Sequence, residues 1–289
     1  NDLNSGAIIY KDSVLIVGGT GLLGPYFVDE FSKIERVITC GKTKGDFVFD
    51  LTNIDHMRLI IKQTSPKVII NLAGYTNVDA CEKNEQNAFT TNVNIPKNIV
   101  NFIDSDTYFI HISTDQVYPN GKGNYKETDS SPVNVYGKTK LLGELESLKH
   151  KKSLVLRTNF FGSSRTEGRK SLSDFFEDSF RKQISINMFS DMIFSPLHMT
   201  TLAQIVRQCY ETSQQGLFNV GSRESLSKAD FGLKIGNHFG LSTKNANIIK
   251  SSDILTRAPR ALNLAMNVEK IEKALGKKMP TLINEIQKL

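Results

Sequence analysis

Tyr136-Gly-Lys-Thr-Lys140 sets a phenol and an ammonium four positions apart. On a helix, positions i and i+4 share one face. An ammonium beside a phenol stabilises the tyrosinate and draws the tyrosine pKa toward working pH. Such a pair can give a proton to a carbonyl oxygen or take one from a hydroxyl. Lys140 can also reach the ribose of a nicotinamide cofactor. Upstream, His111-Ile-Ser-Thr114-Asp115-Gln116-Val-Tyr118 closes an apolar run. Ligands of open parallel sheets bind outside the carboxyl ends of such strands. There the Thr114 hydroxyl can hydrogen-bond the same substrate oxygen. The outcome is a Thr114–Tyr136–Lys140 triad that needs neither a metal nor a covalent nucleophile.

The second chemical signal is a glycine loop. Val14-Leu-Ile-Val17 runs into Gly18-Gly-Thr20-Gly21-Leu22-Leu23-Gly24. Gly18 permits a tight turn, Gly21 lets backbone approach a pyrophosphate, and Gly24 lets the following helix sit against the strand. The helix N-terminus offers free N–H groups and a positive dipole end to the phosphates. Gly137-Lys138-Thr139 looks like the end of an NTPase P-loop, but Pro132 occupies the position of its first glycine and no strand precedes it. Enzymes using NAD place an acid after the second strand to hold the ribose. Here Thr39-Cys-Gly41-Lys42-Thr-Lys44 carries cations instead. Lys42 or Lys44 would suit a 2′-phosphate, so NADP(H) is the expected cofactor and NAD(H) the alternative. Asp50 is placed to accept from the adenine amino group. Asn71-Leu72-Ala73-Gly74 ends a fourth strand and would pass close to the cofactor.

Elements must hold these groups in place. Short apolar runs at 13–17, 36–39, 47–49, 68–71, 108–112 and 154–157 alternate with helical patterns at 22–31, 54–63, 84–101 and 136–150. This is the signature of βαβ units in a doubly wound, Rossmann-type parallel α/β sheet buried on both faces. Residues 11–162 are expected to form that NAD(P)-binding domain, with 198–221 returning to it. Residues 163–197 and 222–289 are expected to form a smaller substrate-binding lobe, in which 163–170 reads as a polar loop. Helices are expected at 171–182, 200–211 and 227–239, and a strand at 217–220.

Composition agrees. The chain has 289 residues, 39% hydrophobic and 23% charged, which excludes disorder. No apolar run approaches the ~18 residues of a membrane span. Residues 1–10 show no signal-peptide pattern. Cys40, Cys81 and Cys209 are odd in number and far apart, as expected of reduced thiols in a cytoplasmic protein. The net charge of +6 is scattered and accompanies no nucleic-acid-binding motif, so a small polyanion is the expected partner. Arg260 is a candidate for pairing with such a phosphate group. Asp79 and Glu82 would equally suit a helix N-terminus. No His/Cys/carboxylate spacing indicates zinc.

These motifs resemble the extended short-chain dehydrogenase/reductases, and most closely the dTDP-4-dehydrorhamnose reductase family. The likeness runs through the glycine loop, Asp50-Leu51-Thr52, Asn71-Leu-Ala-Gly-Tyr-Thr76-Asn-Val78-Asp79-Ala-Cys-Glu82 and Ser113-Thr-Asp-Gln-Val-Tyr118. It continues in Tyr136 to Glu144, Leu156-Arg-Thr-Asn159-Phe160-Phe-Gly162, Asp191 to Pro196, Gly216 to Gly221 and Arg260-Ala-Leu-Asn263. The family carries proline where Ala261 stands, and an aromatic residue, often Trp, where Phe160 stands. The resemblance implies reduction of a 4-keto-6-deoxy nucleotide sugar, with hydride delivered to C4 and Tyr136 as proton donor. It implies cofactor contacts from Gly18, Thr20, Gly21, Leu22, Leu23, Gly41, Lys42, Asp50, Leu51, Leu72, Ala73, Gly74, Tyr136 and Lys140. It implies substrate contacts from Thr76, Val78, Asp79, Asp115, Gln116, Tyr118, Asn159, Phe160 and Arg260. A homodimer is compatible with it, and Mg²⁺ occurs around the family although nothing in this sequence fixes it. Related dehydratases carry Thr-Asp-Glu at the active site, and Gln116 cannot serve as that base. The alternatives are a nucleotide-sugar epimerase, or a non-catalytic protein like the regulatory subunit of methionine adenosyltransferase, which would have little use for the full triad.

Overall fold

A computed structural model describes residues 10–255 and 257–289. The chain runs through β1 (Val14–Val17), α1 (Gly24–Phe31), β2 (Val37–Gly41), β3 (Phe47–Val48), α2 (Ile54–Thr64), β4 (Val68–Asn71), α3 (Val78–Lys83), α4 (Glu85–Asn92) and α5 (Asn94–Phe102). Next come β5 (Tyr108–Thr114), α6 (Val135–Ser147), β6 (Ser153–Thr158), β7 (Phe160–Phe161), α7 (Leu172–Arg181), β8 (Ile186–Phe189), β9 (Ile193–Phe194) and β10 (Leu197–His198). The rest is α8 (Met199–Glu211), β11 (Gly216–Val220), β12 (Leu226–Ser227), α9 (Lys228–His238), β13 (Ala246–Ile249), α10 (Glu269–Leu275) and α11 (Leu282–Ile286).

Seven strands form one sheet in the order β11-β6-β5-β4-β1-β2-β3, and every pairing in it is parallel. Side-chain alternation explains the two layers of helices. Val14, Ile16, Val68, Ile70, Ile110 and Leu154 face Phe27 and Phe31 of α1 and Leu202, Ile205 and Val206 of α8. Leu15, Val17, Ile69 and Phe109 face Met57, Ile60 and Ile61 of α2 and Ile95 and Ile99 of α5. The order reverses direction between β1 and β4, which opens a crevice at their carboxyl ends. A second core joins α7, α9 and α11 around Phe161, Phe176, Phe180, Phe194 and Phe231.

The helical pattern at 84–101 is two helices. Pro96 has no N–H for the Asn92 carbonyl, so the ladder breaks between α4 and α5. That carbonyl lies against Gly143 of α6, where a Cβ would come within 2.2 Å of it. α3 went unforeseen because it is short; Asn77 caps it, accepting from Ala80 N at 2.9 Å. Val268, Ile271 and Met279, expected in the smaller lobe, pack in the core of the sheet instead. Their apolar side chains cover the flank beside β11, where α10 docks.

Candidate active site and substrate cleft

The glycines of the loop have separate duties. Gly18 has φ +78°, and a Cβ on it would lie 2.7 Å from Ala73 N. A Cβ on Gly24 would lie 1.7 Å from Gly19 O. Both are therefore required by the fold itself. Gly21 is different: the nearest atom to its Cβ position is Gly18 O at 3.7 Å. α1 begins three residues further on, at Gly24, with no side-chain cap and no acid in its first turn. The open surface above Gly21 and the uncapped amides behind it fit a dinucleotide pyrophosphate. Gly41 lets the turn after β2 close on this loop, since a Cβ there would lie 2.7 Å from Thr20 Oγ1. Leu72 and Ala73 extend from β4 beside it, with Leu72 N bonded to Val17 O at 2.8 Å.

After β2, Asp46 is absorbed locally: its carboxylate accepts from Thr39 N at 2.9 Å and from Thr39 Oγ1 at 3.1 Å. Lys42 and Lys44 stay exposed. Asp50 is exposed and held below the usual carboxylate range by the Thr52 hydroxyl and amide, while Leu51 is buried. No local pattern predicts that residues 163–170 reach this region. Thr166 Oγ1 donates to Gly21 O at 3.0 Å, and Tyr26 OH donates to Ser163 O at 2.5 Å. Arg165 pairs with Asp29, and Glu167 lies 3.7 Å from Lys44. The expected polar loop is a strap across the glycine loop.

The triad assembles where β5 ends. Asn134 caps α6, accepting from Gly137 N at 2.8 Å, and Glu82 accepts from Val135 N at 2.9 Å. A Cβ at position 137 would lie 2.2 Å from Gln116 O, so the glycine between Tyr136 and Lys138 lets the turn after Thr114 press against α6. The Thr114 and Tyr136 hydroxyls hydrogen-bond each other, and burial raises the Tyr136 pKa above that of a free phenol. Lys140 Nζ donates to Ile112 O at 2.9 Å, and burial pulls it down to about 8 against the pull of Glu144. The expectation that Lys140 draws the phenol pKa down is therefore not met in this state: the ammonium is held by a strand carbonyl. A Cβ on Gly74 would lie 3.8 Å from Lys140 Nζ, which sets the β4 loop beside the triad.

A cleft of about 280 Å³ lies outside it, lined among others by Val78, Gln116, Asn159, Phe194, Lys228, Arg257 and Arg260. A wider hollow of about 670 Å³ shares Phe175, Asn187, Phe189 and Arg257 with it. Asp115 is buried, accepts from Asn159 Nδ2 at 2.9 Å, and is pushed up to about 6 by that burial. Arg260 is engaged by Asp79 at 2.9 and 3.1 Å, a pairing that brings the Asp79 carboxyl down to about 2. Thr76 is exposed and Phe160 half-buried.

Tyr118 does not belong to the cleft. It is fully buried, with its hydroxyl bonded to Asn219 and accepting from Arg157 Nη1 at 3.0 Å. The turn after Thr114 swings the ring inward. Lys228 and Arg257, which the motifs did not suggest, do line the cleft. Among the described residues no group of three His, Cys, Asp or Glu side chains could hold a metal ion.

The family described as RmlD substrate binding domain matches residues 12–289. A dTDP-4-dehydrorhamnose reductase of Aggregatibacter actinomycetemcomitans is 30% identical over 78% of this chain and 81% of its own length. Methionine adenosyltransferase 2 subunit beta of Rattus norvegicus is 27% identical over 92% of this chain and 84% of its own. The crystal structure of dTDP-4-dehydrorhamnose reductase from Bacillus anthracis in complex with NADP shares the fold, with a TM-score of 0.86 at 23% identity over 96% of this chain and 98% of that one. With the triad at the carboxyl end of β5, the glycine loop at the switch point and a match over nearly the whole length, the chain belongs to the RmlD, or dTDP-4-dehydrorhamnose reductase, family.

Proposed function

We propose that this protein is an NADPH-dependent reductase of a 4-keto-6-deoxy nucleotide sugar. The observation that carries the reading is the hydrogen-bonded Thr114–Tyr136 pair with the Lys140 ammonium behind it. Its raised pKa keeps the Tyr136 phenol protonated through neutral pH, which is the state a proton donor needs. Thr114 holds the same oxygen and orients it. Lys140 stands one turn further along α6, and its ammonium would stabilise the tyrosinate as the phenol gives up its proton. Bound NADPH would supply the hydride, held by the amides of the glycine loop, with Lys42 and Lys44 toward its 2′-phosphate. Asn159 and Gln116, in the cleft wall, would hold the sugar, with Asp115 orienting Asn159 from behind, and Arg260 would take the diphosphate once it exchanges part of its contact with Asp79.

A regulatory protein has no need of a buried Thr–Tyr–Lys arrangement, and elimination has no carboxylate at Gln116. The fully buried Cys40, Cys81 and Cys209 thiols support a cytoplasmic setting. No described helix is long and apolar enough to cross a membrane. Exposed Phe89 on α4 and Leu142 and Leu145 on the adjoining α6 support a homodimer. The test is loss of the reduced cofactor's near-ultraviolet absorbance when NADPH and a 4-keto-6-deoxy nucleotide sugar are added together. Absence of consumption across thymidine, uridine and guanosine sugars would refute the reading.

A further inference from the structure

Lys228 is a cation of the cleft wall whose own donors are unused. It is the first residue of α9, and its ammonium lies 4.1 Å from the centre of the Phe194 ring. Among the described residues no hydrogen-bond acceptor or ion-pair partner reaches it. Asp115 attracts it without closing an ion pair, and Arg257 and Arg260 repel it. Two further features make the position unusual. A helix N-terminus is electrostatically unfavourable for a cation. Lys228 is half-buried in the cleft wall, and a partly desolvated ammonium favours an acceptor there.

Arg257 likewise has, among the described residues, a ring and no acceptor against it: Phe189, at 4.8 Å from the guanidinium carbon. It stands where the inner cleft joins the wider hollow. Arg260 has Asp79, and Asp115 has Asn159. The cleft thus offers the unused donors of Lys228 and Arg257 in largely apolar surroundings. A neutral sugar hydroxyl would leave the charge of these groups unanswered, whereas a phosphoryl group answers both charge and donors.

We propose that Lys228 is a substrate-binding residue that donates to a phosphoryl oxygen of the substrate's diphosphate, on the sugar side of Arg257. This rests on the nucleotide-sugar reading and specifies how that substrate is gripped. The diphosphate then lies between the triad end of the cleft, which takes the sugar, and the wider hollow, which takes the nucleoside.

Calorimetric titration of the whole protein with thymidine, uridine and guanosine diphosphates tests this without cofactor or turnover. Lys228→Met keeps the aliphatic stem on Phe194 and removes the charge, and Lys228→Gln serves as a second neutral variant. Lys228→Arg retains the charge, and Lys234→Ala removes an exposed lysine from the same helix. The nucleotide that binds wild type should bind the neutral variants about 10- to 100-fold more weakly, the range of a lost charge-assisted hydrogen bond. Lys228→Arg should recover most of that loss, and Lys234→Ala should bind as wild type. Unchanged nucleoside diphosphate affinity in folded Lys228→Met or Lys228→Gln overturns the proposal. So does a loss confined to the intact nucleotide sugar, which would move Lys228 to the sugar. If wild type binds none of the three nucleotides, the nucleotide-sugar reading itself fails, a result separate from equal binding by wild type and variants.

Discussion

Glu144→Gln should destabilise the protein and disturb the triad together. Glu144 lies on α6, one turn beyond Lys140 and two beyond Tyr136, and only 1% of it is exposed. Its carboxylate accepts from Arg157 Nε at 2.9 and 3.2 Å, from Arg157 Nη2 at 2.8 Å and from Ser113 Oγ at 2.5 Å. Arg157 also donates through Nη1 to the Tyr118 hydroxyl at 3.0 Å and to Glu127 O at 2.8 Å. The pair therefore fastens the catalytic helix to β5 and β6. Glutamine keeps the size but turns an N–H donor toward a guanidinium, leaving a charge buried without its counterion. Breaking such a buried pair costs about 3–5 kcal/mol. At roughly 2 °C per kcal/mol for a chain of this size, the melting temperature should fall by about 6–10 °C. Replacing both partners together, Glu144→Leu with Arg157→Met, should recover much of the loss, because neither charge is then stranded.

The same substitution has a signature that instability alone lacks. Burial lowers the Lys140 pKa and the Glu144 charge opposes that lowering. Removing the charge should move the Lys140 pKa further down. In wild type, reduction should slow as pH rises through about 8 and Lys140 loses its proton. In Glu144→Gln that alkaline limb should begin at lower pH. Melting curves and pH–rate profiles, taken well below the melting temperature, read the two effects separately. A melting shift under about 2 °C, or an alkaline limb that stays put, would refute the assigned roles of Glu144.

Three further outcomes follow from the site. Tyr136→Phe should lower kcat by roughly 10²–10⁴ while NADPH affinity, measured by fluorescence titration, stays near wild type; near-normal turnover would remove Tyr136 from the chemistry. Glu167→Gln should favour NADPH over NADH by at most about fivefold, since it frees Lys44 from an exposed pair worth no more than about 1 kcal/mol, while Lys44→Ala should weaken NADPH alone; an unchanged affinity ratio in both would place the 2′-phosphate elsewhere. Gly21→Ala should impair cofactor binding at nearly unchanged melting temperature, whereas Gly24→Ala should lower the melting temperature, because only the latter's Cβ would clash with backbone; equal melting losses would contradict the assignment of the open surface above Gly21.

The glycine turn and the clustering of Thr114, Tyr136 and Lys140 were legible because each is set by short stretches of chain. The turn from β1 to α1 needs glycine for reasons that close neighbours impose, and i, i+4 spacing puts Tyr136 and Lys140 on one face of α6. Tyr118 misled because its place in a motif says nothing about which way the turn after Thr114 sends its ring. The helix at 84–101 misled because apolar periodicity carried through Pro96, although the missing N–H there was visible in the sequence. Contacts over long separations were out of reach. Thr166 on Gly21 spans 145 residues, and Arg260 on Asp79 spans 181. No local pattern records either.

The substrate cleft raises a sharper point about what kind of signal survives in a sequence. Its cations come from the start of α9 and the segment before α10, and the carboxylates that pair with its lining residues come from the turn after β5 and from α3. The overall charge of +6 cannot show that some of these cations converge while others are already paired. Yet one local inconsistency was available. Ser227-Lys228-Ala-Asp230 reads as a capped helix start, and Asp230 N does bond to Ser227 Oγ at 3.0 Å. A helix start favours acids and disfavours a cation in its first turn. Lys228 breaks that rule beside a cap that obeys it. Violations of local preference concentrate where function overrides stability, so the misplaced lysine is the trace the cleft left in the sequence. Its α9 neighbour Lys234, exposed and further from the dipole's positive end, breaks no such rule and faces no cleft.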